Sequence, residues 1–396
     1  CDRTLDPIDL INIRSKRDCS TPVFKDTTHY MLKLGDFQEK LEKWVSGQDD
    51  WRANVRNQTL GMLREGLHDR AITRDIDWGV PVPIEGWESK RIYVWFEAVI
   101  GYLSAARAWA EQNGTPDEWK KFWVASEGES YYFQGKDNVS FHTIMLPSIL
   151  MGSGDLNLPT DVVANEYLNI GGADFSKSTG NAIWVTDFLS RYEADPLRYY
   201  LSSIMPETSD SDFTWEGFHA ANNNELVATF GNFVNRVLTI TARNFDKAVP
   251  TPGELDDSDK AALSACDTAL EEVSKAIDGR RFRDGLRAAM RLARHGNQYV
   301  DSKEPWKVVK VDKETAGTAL WVSLNVISTL RTVFYPYLPT SADKIHSMLF
   351  QSSDTLADGW NRREIVPGAP IEKPVRLFTK LDDSIIEEEN ARLAGE

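Results

Sequence analysis

The spacing of apolar residues changes character near residue 215. Upstream, short apolar runs alternate with stretches of helical period; downstream, helical period dominates and strand signals almost vanish. Residues 1 to about 35 hold Pro7 and Pro22 and show little periodicity. Residues 36–45 and 51–67 place Phe37, Leu41 and Trp44, then Leu60, Leu63 and Leu67, three and four apart, which predicts two amphipathic helices. Residues 92–96 are a charge-free apolar run that predicts a buried parallel strand. A helix over 99–110, strands over 122–125 and 131–133 and a helix over 141–151 follow. Residues 162–170 predict a further strand, and a helical segment with Trp184, Phe188 and Leu189 comes after it. Strands separated by helices predict a parallel α/β sheet, whose ligands bind beyond the carboxyl ends of strands. Two such ends carry chemistry: Gly135-Lys-Asp137, and Asp174-Phe-Ser-Lys-Ser-Thr-Gly180. From residue 215, the stretches 224–244, 258–277, 282–300 and 313–335 predict long helices and so an all-α bundle, with Pro250, Pro252 and Gly253 marking a loop. The residues past 350 are polar and proline-bearing, and turn acidic at Glu387, Glu388 and Glu389.

Composition narrows the classes. A chain of 396 residues has room for two or three domains, and 41% apolar with 27% charged residues is ordinary for a globular protein. No run of 18 apolar residues occurs, so no membrane-spanning helix and no membrane partner are expected. The chain begins Cys-Asp-Arg-Thr, with neither an initiator methionine nor a secretory signal, which predicts a processed or partial chain. Cys1, Cys19 and Cys266 are too few and scattered for a disulfide framework, which suits a cytoplasmic setting. Cys1, Cys19 and His29 fall short of the four ligands zinc needs, so no metal site is expected in these residues; any zinc would belong upstream of Cys1.

A net charge of −15 makes the chain a poor nonspecific polyanion binder, so a nucleic-acid role needs a local basic face. One helix supplies a candidate: Arg280, Arg281, Arg283, Arg287, Arg291 and Arg294 crowd it, with Phe282, Leu286 and Met290 as its apolar stripe. Such a face is either solvated or set against phosphates. The loop at Ser176, Lys177 and Ser178 offers two hydroxyls and an ammonium, and Gly180 lets backbone N–H groups approach an anion. It reads as a phosphate-binding loop or as a polar surface turn, and its surroundings decide. Gly135 and Asp137, taken alone, fit a strand-to-helix turn with an N-terminal cap.

Several blocks, in order, resemble the methionyl-tRNA synthetase family of class I aminoacyl-tRNA synthetases. Ala71-Ile-Thr-Arg-Asp-Ile-Asp-Trp-Gly-Val-Pro-Val-Pro83 is similar to the entry into the second half of that family's catalytic domain. Tyr93-Val-Trp-Phe-Glu-Ala-Val-Ile-Gly-Tyr102 resembles its methionine-pocket segment, and Phe133-Gln-Gly-Lys-Asp137 with Phe141-His142 its next active-site segment. Phe175-Ser-Lys-Ser178 resembles the KMSKS loop. Gly231-Asn-Phe-Val-Asn-Arg236 and Tyr299-Val-Asp with Pro305-Trp306 resemble the anticodon-binding helices. The resemblance implies a Rossmann-like nucleotide-binding half-domain followed by an anticodon-binding helix bundle, acting on methionine, ATP with Mg2+ and tRNA(Met), and not on DNA. It implies Lys177 as the catalytic group that stabilises charge on the ATP phosphates, with Gly135, Asp137, Ser176 and Ser178 also binding ATP. Trp95, Tyr102 and His142 would line a methionine pocket, where aromatic surface and one weak donor suit a thioether. Asn232, Arg236 and Trp306 would read anticodon bases by hydrogen bonding and stacking.

Three departures stand beside the match. The family's paired histidines, three apart, are absent: His29, His68, His142, His219, His295 and His346 are the only histidines and no two lie within four positions. Asp174 stands where the loop usually opens with lysine, and Glu97 where aspartate is common. The expected division is the tail of a connective insertion over 1–70, half a catalytic domain over 71–173, the loop and stem-contact region over 174–214, the helical domain over 215–350 and an extension over 351–396. The expected function is methionine–tRNA ligation by a chain lacking its N-terminal half and inactive alone. The alternatives are an inactive tRNA-binding fragment or relative, and a synthetase for another apolar amino acid.

Overall fold

Strand Tyr131–Gly135 runs parallel to strand Asp161–Asn165, with Tyr131 opposite Asp161 and Gly135 opposite Asn165. The pair lies in the first of two units, Cys1–Asn165; the second is Glu166–Glu396. The structure is a computed structural model and describes residues 10–12, 14–15, 20–23, 26–154, 156–173, 175, 181–352, 355, 357 and 359–394.

In the first unit, Val162, Val163 and Ala164 are buried, as a strand covered on both faces requires. Helices Gln38–Ser46 and Ala53–Glu65 form where helical spacing predicts them and bury Leu41, Val45 and Leu63 with Leu34 and Ile144. Two residues tie the start of the second helix to the sheet. Trp51 Nε1 donates to the Thr160 carbonyl (2.9 Å), and Arg52 Nη1 donates to the Ala164 carbonyl (3.0 Å) and Asn165 Oδ1 (2.8 Å).

Two predicted strands are helices. Only Ile92 of the 92–96 run is strand, in Arg91–Ile92 antiparallel to Thr73–Arg74, and Val94–Ala98 is a helix. A short apolar run has no period of its own, and here the Tyr93 N–H, bonded to the Ile72 carbonyl, closes the ladder and leaves Tyr93 as the extended N-cap. Residues 122–125 belong to helix Lys120–Trp123 and its last turn, where the Lys120 carbonyl accepts both the Val124 and Ala125 N–H groups. The 141–151 helix is continuous but opens with a π-helical turn, Phe141–Met145, before Leu146–Ser153. Pro147 accounts for it: without an N–H, proline cannot bond to the carbonyl four residues back, and its ring pushes that turn open.

In the second unit, strand Leu168–Ile170 pairs in parallel with Ser211–Phe213. The single strand predicted over 162–170 is thus two strands in two sheets. Helices Val185–Arg191, Ala194–Ser203 and Trp215–Ala220 follow. A π-helical stretch, Ala221–Gly231, then runs into Asn232–Asn244. Asp257–Asp278, Phe282–Lys303, Lys313–Phe334 and Pro339–Phe350 complete the bundle. Lys313–Phe334 is its axis: every residue from Ala316 to Phe334 except Trp321 is buried, and polar members such as Ser323, Thr329 and Arg331 are hydrogen-bonded inside the bundle. Asp195 Oδ2 accepts the Ser341 N–H and hydroxyl, each at 2.7 Å, and so caps Pro339–Phe350 from another helix. The polar C-terminal residues hold one more helix, Ser384–Ala394, which the sequence reading did not predict.

Candidate functional site

The first unit gathers the predicted apolar-ligand residues. Tyr102 lies in the first turn of helix Gly101–Gln112, and His142 on the π-helical turn. His142 Nδ1 is 3.0 Å from the Asn138 carbonyl, which can only accept, so the proton sits on Nδ1. Nε2 is then the acceptor, and the Tyr102 hydroxyl, 3.0 Å away, donates to it. Tyr132, on the inward face of its strand, packs edge-on against Tyr102 at 5.1 Å and tilts against His142 at 5.3 Å. Trp95 meets Phe141 at 5.7 Å. His142 is only 7% exposed while Tyr102 and Trp95 are 46% and 49% exposed: a buried polar anchor behind accessible aromatic surface. Burial lowers the His142 pKa below its ordinary value and raises that of Tyr132, which keeps the imidazole neutral and the Tyr132 phenol protonated at neutral pH. A thioether is a weak acceptor, and here it would compete with Nε2 for one hydroxyl proton.

Gly135 ends the parallel strand and Asp137 follows in the turn Lys136–Asn138, exposed. A Cβ built on Gly135 would meet nothing within 4 Å, and its φ of −84° is open to any residue. Neither backbone nor packing demands glycine there, so the open space suits a ligand's close approach. The predicted loop residues Ser176, Lys177 and Ser178, with Asp174, lie outside the described residues.

In the second unit, Arg236 and Trp306 come together, with the guanidinium 5.2 Å from the ring centroid. Arg236 is held in place: Nη1 bonds Asp301 (2.7 Å) and Nη2 reaches Asn297 Oδ1 (3.4 Å). Asn232, one turn before Arg236, is exposed. A planar cation on a half-buried indole, with an amide one turn away, is a surface on which an unstacked base can lie and be hydrogen-bonded. The arginine-rich helix gives a weaker case. Arg287 pairs with Asp284 (3.1 Å), Arg294 with Glu225 (3.4 Å) and Arg291 with Glu272, so much of that face is already neutralised.

Sequence reasoning missed Tyr132, Asn138, Asn297 and Asp301 as supports. Strand alternation marks Tyr132 as inward once Tyr131–Gly135 is a strand, and helical spacing sets Asn297 and Asp301 on one face. The carbonyl of Asn138, used through its backbone, leaves no trace in the sequence.

Comparison with known proteins covers both units. The family model for class I tRNA synthetases (M) matches residues 1–238, and that for the anticodon binding domain of methionyl tRNA ligase matches residues 249–396. A methionine--tRNA ligase of Dehalococcoides mccartyi (strain 195) is 51% identical over 393 residues, which cover 99% of this chain and 71% of that protein. One of Thermobifida fusca is 43% identical over 441 residues, covering 99% and 72%. Among solved structures, Mycobacterium tuberculosis methionyl-tRNA synthetase bound by methionyl-adenylate superposes with a TM-score of 0.81 at 26% identity, covering 92% of this chain and 72% of that one.

Proposed function

This chain belongs to the methionyl-tRNA synthetase family, and on that premise we propose that its residues supply a methionine–tRNA ligase with a methionine pocket, part of an ATP site and an anticodon reader. The observation that carries the reading is the hydrogen-bonded Tyr102–His142 pair beside exposed Trp95, with an unobstructed glycine at a strand end. The reaction joins the methionine carboxylate to the α-phosphorus of ATP, taken as its Mg2+ complex, with loss of pyrophosphate. The terminal adenosine of tRNA(Met) then attacks the adenylate carbonyl and AMP leaves. No protein nucleophile is needed; positioning and stabilisation of phosphate charge suffice. Lys177 takes the charge role, with Ser176 and Ser178 orienting the triphosphate, Gly135 admitting the nucleotide and Asp137 accepting from a ribose hydroxyl. Arg236, Asn232 and Trp306 read the anticodon.

We further propose that these 396 residues alone do not form the adenylate, because they contain no histidine pair to share the phosphates with Lys177. The same observation supports a second reading, a module that holds tRNA without catalysis.

Binding isotherms for methionine, leucine and isoleucine test the pocket, on an enzyme of the relatives' full length carrying these residues. Methionine is expected to bind tightest, and Tyr102→Phe to weaken it by roughly five- to tenfold, the worth of one hydrogen bond. Tighter binding of leucine would sink the assignment.

A further inference from the structure

The Phe282–Lys303 helix ends where the candidate base platform begins, and an ion cluster pins that end. Lys303 Nζ lies 2.6 Å from Asp256 Oδ2 and 2.7 Å from Asp259 Oδ1. Asp256 is the N-cap of helix Asp257–Asp278, its Oδ1 accepting the Ser258 and Asp259 N–H groups, while Asp259 Oδ2 accepts the Asp256 N–H in a capping box. Tyr299 donates its hydroxyl to Asp259 Oδ1 at 2.6 Å. The Asp259 side chain is 3% exposed and that of Lys303 17%, so water screens the inner arm little. A cation at one helix C-terminus and carboxylates at another's N-terminus also suit both helix dipoles.

The next residue shows what the clamp is for. Glu304 ends one helix and opens Pro305–Val308, with φ +43° and ψ +49°, a left-handed conformation that disfavours a side chain. Its N–H bonds the Val300 carbonyl, and its own carbonyl accepts the Lys307 and Val308 N–H groups. This strained single-residue turn aims Trp306 at Arg236, and Asn297 and Asp301, which hold Arg236, sit on the same final turns.

We propose that Lys303, held between Asp256 and Asp259, is a positioning residue for base recognition: it fixes the turn that sets Trp306 against Arg236. The proposal rests on the anticodon reading above, so its test carries a control for that reading. An RNA stem-loop with anticodon CAU and one with altered anticodon bases are titrated against the 396-residue chain and its variants. Lys303→Met is expected to lower affinity for the CAU loop about tenfold, a stacked base's worth, and to leave the altered loop unchanged. Lys303→Arg restores the cation and is expected to recover selectivity. A purely structural loss would weaken both loops alike and so overturn the proposal. Full selectivity in Lys303→Met alongside its loss in Trp306→Ala would overturn it too, and so would failure of Lys303→Arg to rescue. Retained selectivity in Trp306→Ala refutes the anticodon reading itself, and the clamp with it. Should Lys303→Met lose its helical circular dichroism, Asp256→Asn carries the test, since asparagine still caps the helix but drops the charge. A partial loss of selectivity supports the clamp; unchanged selectivity overturns it.

Discussion

His142 is neutral in the folded chain because burial disfavours its charged form, and its hydrogen bonds depend on that. A protonated imidazole donates from both nitrogens and has no acceptor left for Tyr102. Its folded pKa lies below the ordinary 6.5, so the stabilisation it brings is complete above that value and fades as pH falls through the lower folded pKa. Imidazole NMR, assigned with His142→Gln, is expected to show this histidine titrating below 6.5, with methionine affinity falling over the same range. The second residue-scale prediction concerns the base platform. Arg236→Ala removes the guanidinium from the Trp306 ring and is expected to weaken binding of the CAU stem-loop by about 1–3 kcal/mol, read by fluorescence anisotropy. Methionine binding should not change.

At the scale of elements, two close approaches govern the second unit. Gly296, on Phe282–Lys303, faces Phe233 of Asn232–Asn244, and a Cβ there would lie 2.6 Å from the ring's Cζ. Gly296→Ala forces these helices apart and is expected to cost about 1–3 kcal/mol in denaturant unfolding. Because it also shifts Asn297 and Asp301 relative to Arg236, anticodon-loop affinity should fall with it. The helix Ser384–Ala394 hangs on Glu389, 3% exposed, which receives Arg191 through Nε at 2.8 Å and Nη2 at 3.0 Å and the Tyr192 hydroxyl at 2.7 Å. Glu389→Gln leaves Arg191 without its buried carboxylate, and hydrogen exchange is expected to speed up in residues 384–394 first. That helix also shows where sequence reasoning stops. Its apolar residues Ile385, Ile386 and Leu393 are sparse among glutamates, and only a partner distant in sequence makes it worth forming. Long periodic helices such as Asp257–Asp278 were legible because their period repeats several times. Runs of four or five residues at 92–96 and 122–125 were not, since so short a run fits helix and strand alike, and the hydrogen bonds that decide come from elsewhere. The aromatic residue types of the proposed pocket could be picked out in the sequence, but the His142 tautomer and its supporting carbonyl at Asn138 could not.

For the whole molecule, the proposed function requires a net −15 chain to meet a polyanion at chosen places. Much of the arginine-rich helix is spent on internal ion pairs, so on the proposed reading RNA selectivity would fall to stacking and hydrogen bonding at Arg236 and Trp306, where screening by salt matters less. Catalysis is a separate matter, since in the proposed reading it needs phosphate-binding groups beyond Lys177. The most direct test is methionine-dependent exchange of pyrophosphate into ATP, measured on these 396 residues alone and on the same residues preceded by the part of a relative they do not match. Exchange is expected only from the joined protein, with methionine and not leucine, and is abolished by Lys177→Ala; exchange by the 396 residues alone, or equal exchange with leucine, would contradict the proposed function.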